Sequence, residues 1–252
     1  MQGKPLFDEL IADAWPPLVE ELYGGWRYRW THGVTRRANS AIASGGESDL
    51  VDLVAHAEAF YGQHFAPTII QASTASAPYG LAAYLHHRSY QSTARTLVQV
   101  ATTSKVIERT RPTLPVEIAN APGGDWFRAY WTVESSRCLN DAAKDLYRDV
   151  LLAPRLPKIF ASALHSSETA GVGQLVIERG WAGVQCMATS PRYRRNGVAT
   201  SILNTLAEEA AGRAIKHMYL AVMADNNAAI AFYASASFTT VHEYSYFTRA
   251  HL

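Results

Sequence analysis

A chain of 252 residues with 48% hydrophobic and 18% charged residues is long enough for one large domain or two small ones with real cores, which excludes intrinsic disorder. Its formal net charge of +1 excludes nucleic-acid binding by bulk electrostatics, because phosphate neutralisation demands a marked basic surplus. Cys138 and Cys186 stand far apart with no CxxC or Cys/His cluster, so neither a disulfide framework nor a zinc site is indicated and a reducing compartment fits.

The N-terminus, MQGKPLFDELIADAW, carries acidic residues where a signal peptide needs an apolar run. No stretch approaches the roughly 20 apolar residues of a membrane span, and a soluble cytoplasmic protein is expected. Leu6, Leu10, Ile11, Trp15, Leu18 and Leu22 give residues 6 to 23 a helical period, broken into two pieces by Pro16 and Pro17. Alternate aromatics in GWRYRWTHG, followed by RANSAIAS, read as paired strands. Residues 49 to 61 return to helical period. PTIIQAS then reads as a strand, YGLAAYLHHRSY as a helix and TLVQVATT as a strand.

ERTRPTLPVE, with two prolines and mixed charge, reads as a connection. DWFRAYWTV is strand-like and DAAKDLYRDVLL helical, and the division is placed as domains 1–140 and 141–252. From residue 158 the alternation sharpens: strands KIFASAL, GQLVIERG and WAGVQCMATS, a helix over 198–211, strand MYLAVMA, a helix over 227–236 and strand FTTVHEYSYF. Residues 1–150 hold 14 Lys and Arg against 16 Asp and Glu, while residues 151–252 hold 9 against 6, so the basic surplus lies in the second part.

Within that second part, MATSPRYRRNGVA reads as a buried strand ending at Pro191, a basic turn, and small residues Gly197 and Ala199 opening an amphipathic helix. Uncovered backbone N–H groups at a helix start, with the positive end of its dipole, suit a pyrophosphate, and Arg194 and Arg195 add charge. A solvated basic turn is the plain alternative.

These residues resemble the GNAT superfamily of acyl-CoA-dependent N-acyltransferases, whose turn runs Arg or Gln, two residues, Gly, one residue, Gly or Ala; Arg194, Gly197 and Ala199 fill it. A second block of that family maps without a gap onto Asn226, Ala229, Tyr233 and Phe238, departing at Ser237, where Gly is usual. The resemblance covers roughly residues 155 to 245. It implies an α/β (α+β) GNAT fold, a mixed and mostly antiparallel sheet flanked by helices. The strand and helix order of residues 1–140, which lack a second such turn, looks like a degenerate GNAT half that shapes the acceptor pocket.

The resemblance further implies that Arg194, Arg195, Asn196, Gly197, Val198, Ala199 and Thr200 hold the CoA pyrophosphate, and that main-chain groups of Met187, Ala188 and Thr189 pair with the pantetheine arm. Asn226 would reach the cofactor or merely cap a helix. Tyr233 would protonate the departing thiolate; a core tyrosine is the alternative. Glu178, before the cofactor strand, is a candidate base, with His165 and Glu134 behind it. The aromatics Trp26, Tyr28, Trp30, Trp126, Phe127, Tyr130 and Trp131 read as core rather than as an acceptor lining, Arg36 and Arg37 as a solvated turn, and Cys186 as a small filler.

The expected function is transfer of an acetyl or other acyl group from acyl-CoA to a primary amine of a small molecule or peptide by direct attack, without a metal. The alternatives are a GNAT-like transferase with a carrier-protein or aminoacyl-tRNA donor, against which charge balance speaks for RNA, and a non-catalytic acyl-CoA sensor. Neither acceptor identity nor oligomeric state is encoded legibly.

Overall fold

A computed structural model describes residues 5–44, 49–73, 78–134, 142–153 and 155–250. Cys138 and the expected break at 140/141 lie outside the described residues. Eight α-helices and eleven strands are found among them, and no helix is long and apolar enough to cross a membrane.

Two compact units divide the chain, and neither is a continuous segment. The first takes residues up to Val98, Val222–Asn226 and the stretch from Val241 on; the second takes Gln99–Ala221 and Asn227–Thr240.

In the first unit, β1 (Val19–Tyr23) and β2 (Trp26–Trp30) form an antiparallel hairpin across Gly24 and Gly25, both at positive φ. Strand order continues through β3 (Ala41–Ile42), β4 (Thr68–Ser73) and β11 (Thr239–Arg249) to β5 (Gln91–Thr102). β3 and β4 are parallel, and β4 and β11 antiparallel. The alternation read in GWRYRW holds: Trp26 and Tyr28 point into a core with Ile70, Phe247 and the apolar stripes of α2 (Leu50–Gln63) and α3 (Leu81–His87). Asp49 starts α2 by accepting the Val51 N–H at 3.0 Å. The opposite face carries α1 (Pro5–Asp13), whose Asp8 accepts from Ser73 at 2.8 Å and meets His242 at 3.0 Å, while Asp13 pairs with Arg27 at 2.7 Å.

In the second unit, strand order is β10 (His217–Met223), β9 (Trp181–Thr189), β8 (Glu168–Glu178), β7 (Lys158–His165) and β6 (Val116–Ala119). Only β9 and β10 run parallel within it, so the sheet is mixed and mostly antiparallel, as expected. α7 (Val198–Gly212) lies so close to one face that a Cβ on Gly171 would stand 2.5 Å from Val198 Cγ1 and one on Gly173 2.6 Å from Ile202 Cγ2. Against β7, β8 and β9 packs α5 (Gly124–Glu134), and its Trp126 Nε1 donates to the carbonyls of Ala161 and Gly173.

Two expectations are corrected. Residues after Pro17 form β1, not a second helical piece: the two prolines end the helix, and Gly24–Gly25 returns the chain as a hairpin. DWFRAYWTV is helix α5, not a strand. Trp126, Phe127, Tyr130 and Trp131 fall on one helical face and pack on Phe160 and on Tyr147 of α6 (Ala142–Leu152), which outweighs the β-propensity of aromatics. β6 pairs with β7 and α5 covers the strands after it, and Gln99–Ala221 groups with the second unit. The expected connection also opens with helix α4 (Thr103–Arg109) and closes in β6. Six of the seven singled-out aromatics are buried, as the core reading requires, and Trp30 is half-buried against the core of the first unit.

Candidate functional site

β9 is irregular where it matters. Its register with β8 runs Thr189↔Gly171 and Ala188↔Val172, then jumps to Gln185↔Gln174, so Cys186 and Met187 together oppose Gly173. Cys186 takes a left-handed φ of 52°, the geometry of a β-bulge. Beyond it, Ser190 N–H donates to Ala170 at 3.0 Å. By the alternation of an antiparallel ladder, Ala188 then turns its main-chain groups to β8, and Met187 and Thr189 turn theirs away. On that side the parallel register with β10 runs from Trp181↔His217 to Val184↔Leu220, stopping short of the bulge. The Met187 and Thr189 main chains are thus presented along the edge where an extended arm would pair.

The strand ends in a one-turn 3₁₀ helix, Pro191–Tyr193. Arg195 at φ 67° and Gly197 at φ 76° then bracket Asn196, and alternation through left-handed residues is how backbone N–H groups converge on an anion. Gly197 is the cap of α7 and no side chain caps it, so the first N–H groups of this 15-residue helix stay open. Charge is apportioned along the turn. Arg192 is neutralised by Glu168, which also accepts from Tyr193 Oη at 2.7 Å, whereas Arg194 and Arg195 are exposed and have no ion-pair partner among the described residues.

The turn is braced from outside the motif. Ser201 Oγ, fully buried on α7, accepts the N–H groups of Thr113 at 2.9 Å and Leu114 at 3.1 Å and donates to the Gly197 carbonyl at 3.0 Å. One turn on, Asn204 Nδ2 donates to the Thr110 carbonyl at 2.8 Å. Residues 110–114 therefore form a strap over α7, and a Cβ on Gly197 would clash with Thr113 Oγ1. The sequence reading missed Ser201 and Asn204, whose only signal was two polar residues on the buried face of an apolar helix.

Tyr233 lies on α8 (Asn227–Ser235), 8% exposed, against Phe232 and Phe238. Its hydroxyl has no hydrogen-bond partner among the described residues, and burial pushes its pKa well above the ordinary phenol value. Ser237, in the turn that closes α8, holds a φ of 72°, a left-handed turn built without the usual Gly. Asn226 sits just before α8 with its N–H on the Met223 carbonyl at 3.0 Å, and it is part of the first unit.

The structure does not bring Glu178 to this place. Glu178 pairs with Trp181 across the tight Arg179–Gly180 turn and lies 3.1 Å from Arg179 Nε. Six residues of strand from Trp181 to Met187 span about 20 Å. Closeness in sequence misled because the hairpin sends Glu178 to the far end of β9. His165 stands at the near end, its ring 4.9 Å from Tyr193, and Glu134 accepts from Tyr147 Oη at 3.0 Å. Arg37 lies over Trp15. The described residues hold no group of three or more side chains suited to a metal ion.

Residues 7–247 match a family model described as "Probable histone acetyltransferase Rv0428c C-terminal". The chain is 25% identical over 243 residues to an uncharacterised N-acetyltransferase, YobR, of Bacillus subtilis (strain 168), covering 95% of this chain and 96% of that one. In fold it is similar to a GCN5-related N-acetyltransferase from Kribbella flavida, with TM-score 0.70, 12% identity and coverage of 100% and 98%. It is also similar to a tandem GNAT protein from the clavulanic acid biosynthesis pathway, with TM-score 0.59, 15% identity and coverage of 79% and 69%.

Proposed function

Since this chain belongs to the Rv0428c C-terminal family, within the GNAT superfamily, we propose that it is an N-acyltransferase that moves an acetyl group from acetyl-CoA to a primary amine. One observation carries the reading. An uncapped helix head, entered through left-handed Arg195 and Gly197 and flanked by unpaired Arg194 and Arg195, directly follows a strand edge whose main-chain groups face away from β8.

The residues fit the donor. N–H groups of Gly197 to Thr200 would take its pyrophosphate, with Arg194 and Arg195 as charge-assisted donors and Asn196 between them. The main chains of Met187 and Thr189 would pair with its pantetheine arm, with Ala188 fixing the strand on β8. Bound acetyl-CoA supplies an activated carbonyl and a thiol leaving group. N–H groups at the Cys186 bulge would steady charge developing on the carbonyl oxygen, and holding both reactants together would supply most of the rate. Tyr233 keeps its proton at neutral pH and would hand it to the departing CoA thiolate as the C–S bond breaks; Asn226 would orient the start of α8. Glu178 is left out of this set. For the first unit, which lacks a second Arg-x-x-Gly-x-Ala turn, we propose a worn GNAT half that shapes the acceptor's surroundings.

The test is calorimetry of the full chain with CoA and acetyl-CoA, followed by thiol release with a mixed library of amines. Binding with amine-dependent release is the expected result. Binding of neither nucleotide overturns the donor site, and tight binding with no release for any amine replaces the enzyme by a sensor.

A further inference from the structure

A cleft of about 570 Å³ opens in the second unit where the end of α6 meets the start of β7, a volume in the range that small organic ligands occupy. Its walls are mainly apolar, with Leu152, Leu156 and Ile177 among them. Arg155, Lys158 and Arg213 also line it, and no carboxylate among the described residues does. Arg213 directly follows α7, whereas the anion-binding turn stands at the head of that helix. Fifteen residues at about 1.5 Å each set the two places roughly 22 Å apart, so the cleft takes no part in the reaction described above.

Lys158 is the polar centre of the cleft. Its Nζ donates to the Leu151 carbonyl at 2.8 Å and the Ala153 carbonyl at 2.9 Å, which caps the end of α6. Two of the three ammonium protons are thereby used, and the third is uncommitted among the described residues. Desolvation outweighs the opposing influence of Cys186 and lowers the Lys158 pKa to about 8, so the amine is still charged at neutral pH. At the rim Arg213 is held by Glu209, and with Arg155 it adds positive field. A half-buried ammonium that faces apolar walls and meets only carbonyl dipoles is stabilised by any anion that reaches it.

We propose that this cleft binds a monocarboxylate with an apolar tail, such as a medium-chain fatty acid, its carboxylate on Lys158 and its tail along Leu152, Leu156 and Ile177. The carboxylate takes the third ammonium proton as a charge-assisted hydrogen bond, and the tail removes apolar wall from water. A bare inorganic anion would leave those walls wet, and a cationic amphiphile would leave Lys158 without its counter-charge.

The inference does not rest on the transferase reading, and calorimetry of the full chain with sodium octanoate tests it. Octanoate should bind, and acetate and octylammonium chloride should bind far more weakly. Lys158→Met should weaken octanoate binding about tenfold or more, and Lys158→Arg should restore it. A bound carboxylate favours the charged amine, so the parent's affinity should fall about tenfold between pH 7 and pH 9, across the Lys158 pKa, while that of Lys158→Arg stays level. Should Lys158→Met fail to fold, Leu152→Glu, at a side chain 45% exposed, places a negative charge in the wall without disturbing the core and should weaken octanoate comparably. Saturating CoA should leave octanoate binding unchanged. Absence of octanoate binding, equal binding of octylammonium, an affinity untouched by Lys158→Met or Leu152→Glu, or displacement of octanoate by CoA overturns the proposal.

Discussion

Gly197 meets two demands at once: a φ of 76° and a Thr113 hydroxyl standing where its Cβ would be. Gly197→Ala should therefore cost about 1–3 kcal/mol of unfolding free energy and weaken CoA binding, read by urea titration and calorimetry. Unchanged stability would mean that the strap yields at no cost. Ser237 shows the reverse case, a side chain held at φ 72°, and Ser237→Gly should gain about 1 kcal/mol in the same titration. Tyr233→Phe removes a hydroxyl that has no partner among the described residues, so stability should hold near neutrality while kcat falls about 100-fold with CoA affinity unchanged. The sign with pH follows. A phenol whose folded pKa lies above its unfolded value near 10 contributes stability below that value and loses it as pH rises further, so parent and variant should diverge only above about pH 10. Equal turnover of the two proteins would assign the proton elsewhere. Spacing from Asn226 made Tyr233 legible, but its burial was not, and Glu178 was misplaced because sequence distance does not report which end of a hairpin a residue occupies.

Elements divide between those written locally and those imposed by neighbours. The period of α7 could be read directly, since Val198, Ile202, Leu203 and Leu206 are all buried against the sheet. The bulge at Cys186 could not, because one extra residue in a ladder changes neither composition nor alternation enough to show. The strand read into DWFRAYWTV failed for a related reason: aromatics at neighbouring positions suit either element, and contact with Tyr147 and Phe160 decided for helix. The strap was equally hidden, its residues more than 80 positions from Ser201. Ser201→Ala should deprive two part-buried N–H groups of their acceptor and cost about 1 kcal/mol, with a CoA affinity loss that Ser201→Thr largely restores. An alanine variant as stable as the parent would show that the strap is held by packing alone.

On the scale of the whole molecule, neither unit is a continuous stretch of chain. β11 gives Tyr244–Arg249 to β4 in six antiparallel pairs, although the two strands lie some 170 positions apart in sequence. Residues 1–140 and 141–252 made as separate fragments should therefore each fail to fold, read by loss of cooperative thermal unfolding and of near-ultraviolet dichroism. A cooperatively folded 1–140 fragment would show that β4 does not need β11. By itself the sequence determined the order of helices and strands in the second unit, the anion-binding turn and the family, because these rest on short-range periodicity, glycine conformation and fixed spacing. The tertiary structure alone decided where the units divide, which end of β9 each candidate occupies, what braces Gly197, and which buried polar atoms go without a partner. Those depend on strand register and long-range packing, and no local pattern in the chain encodes which distant segments will meet.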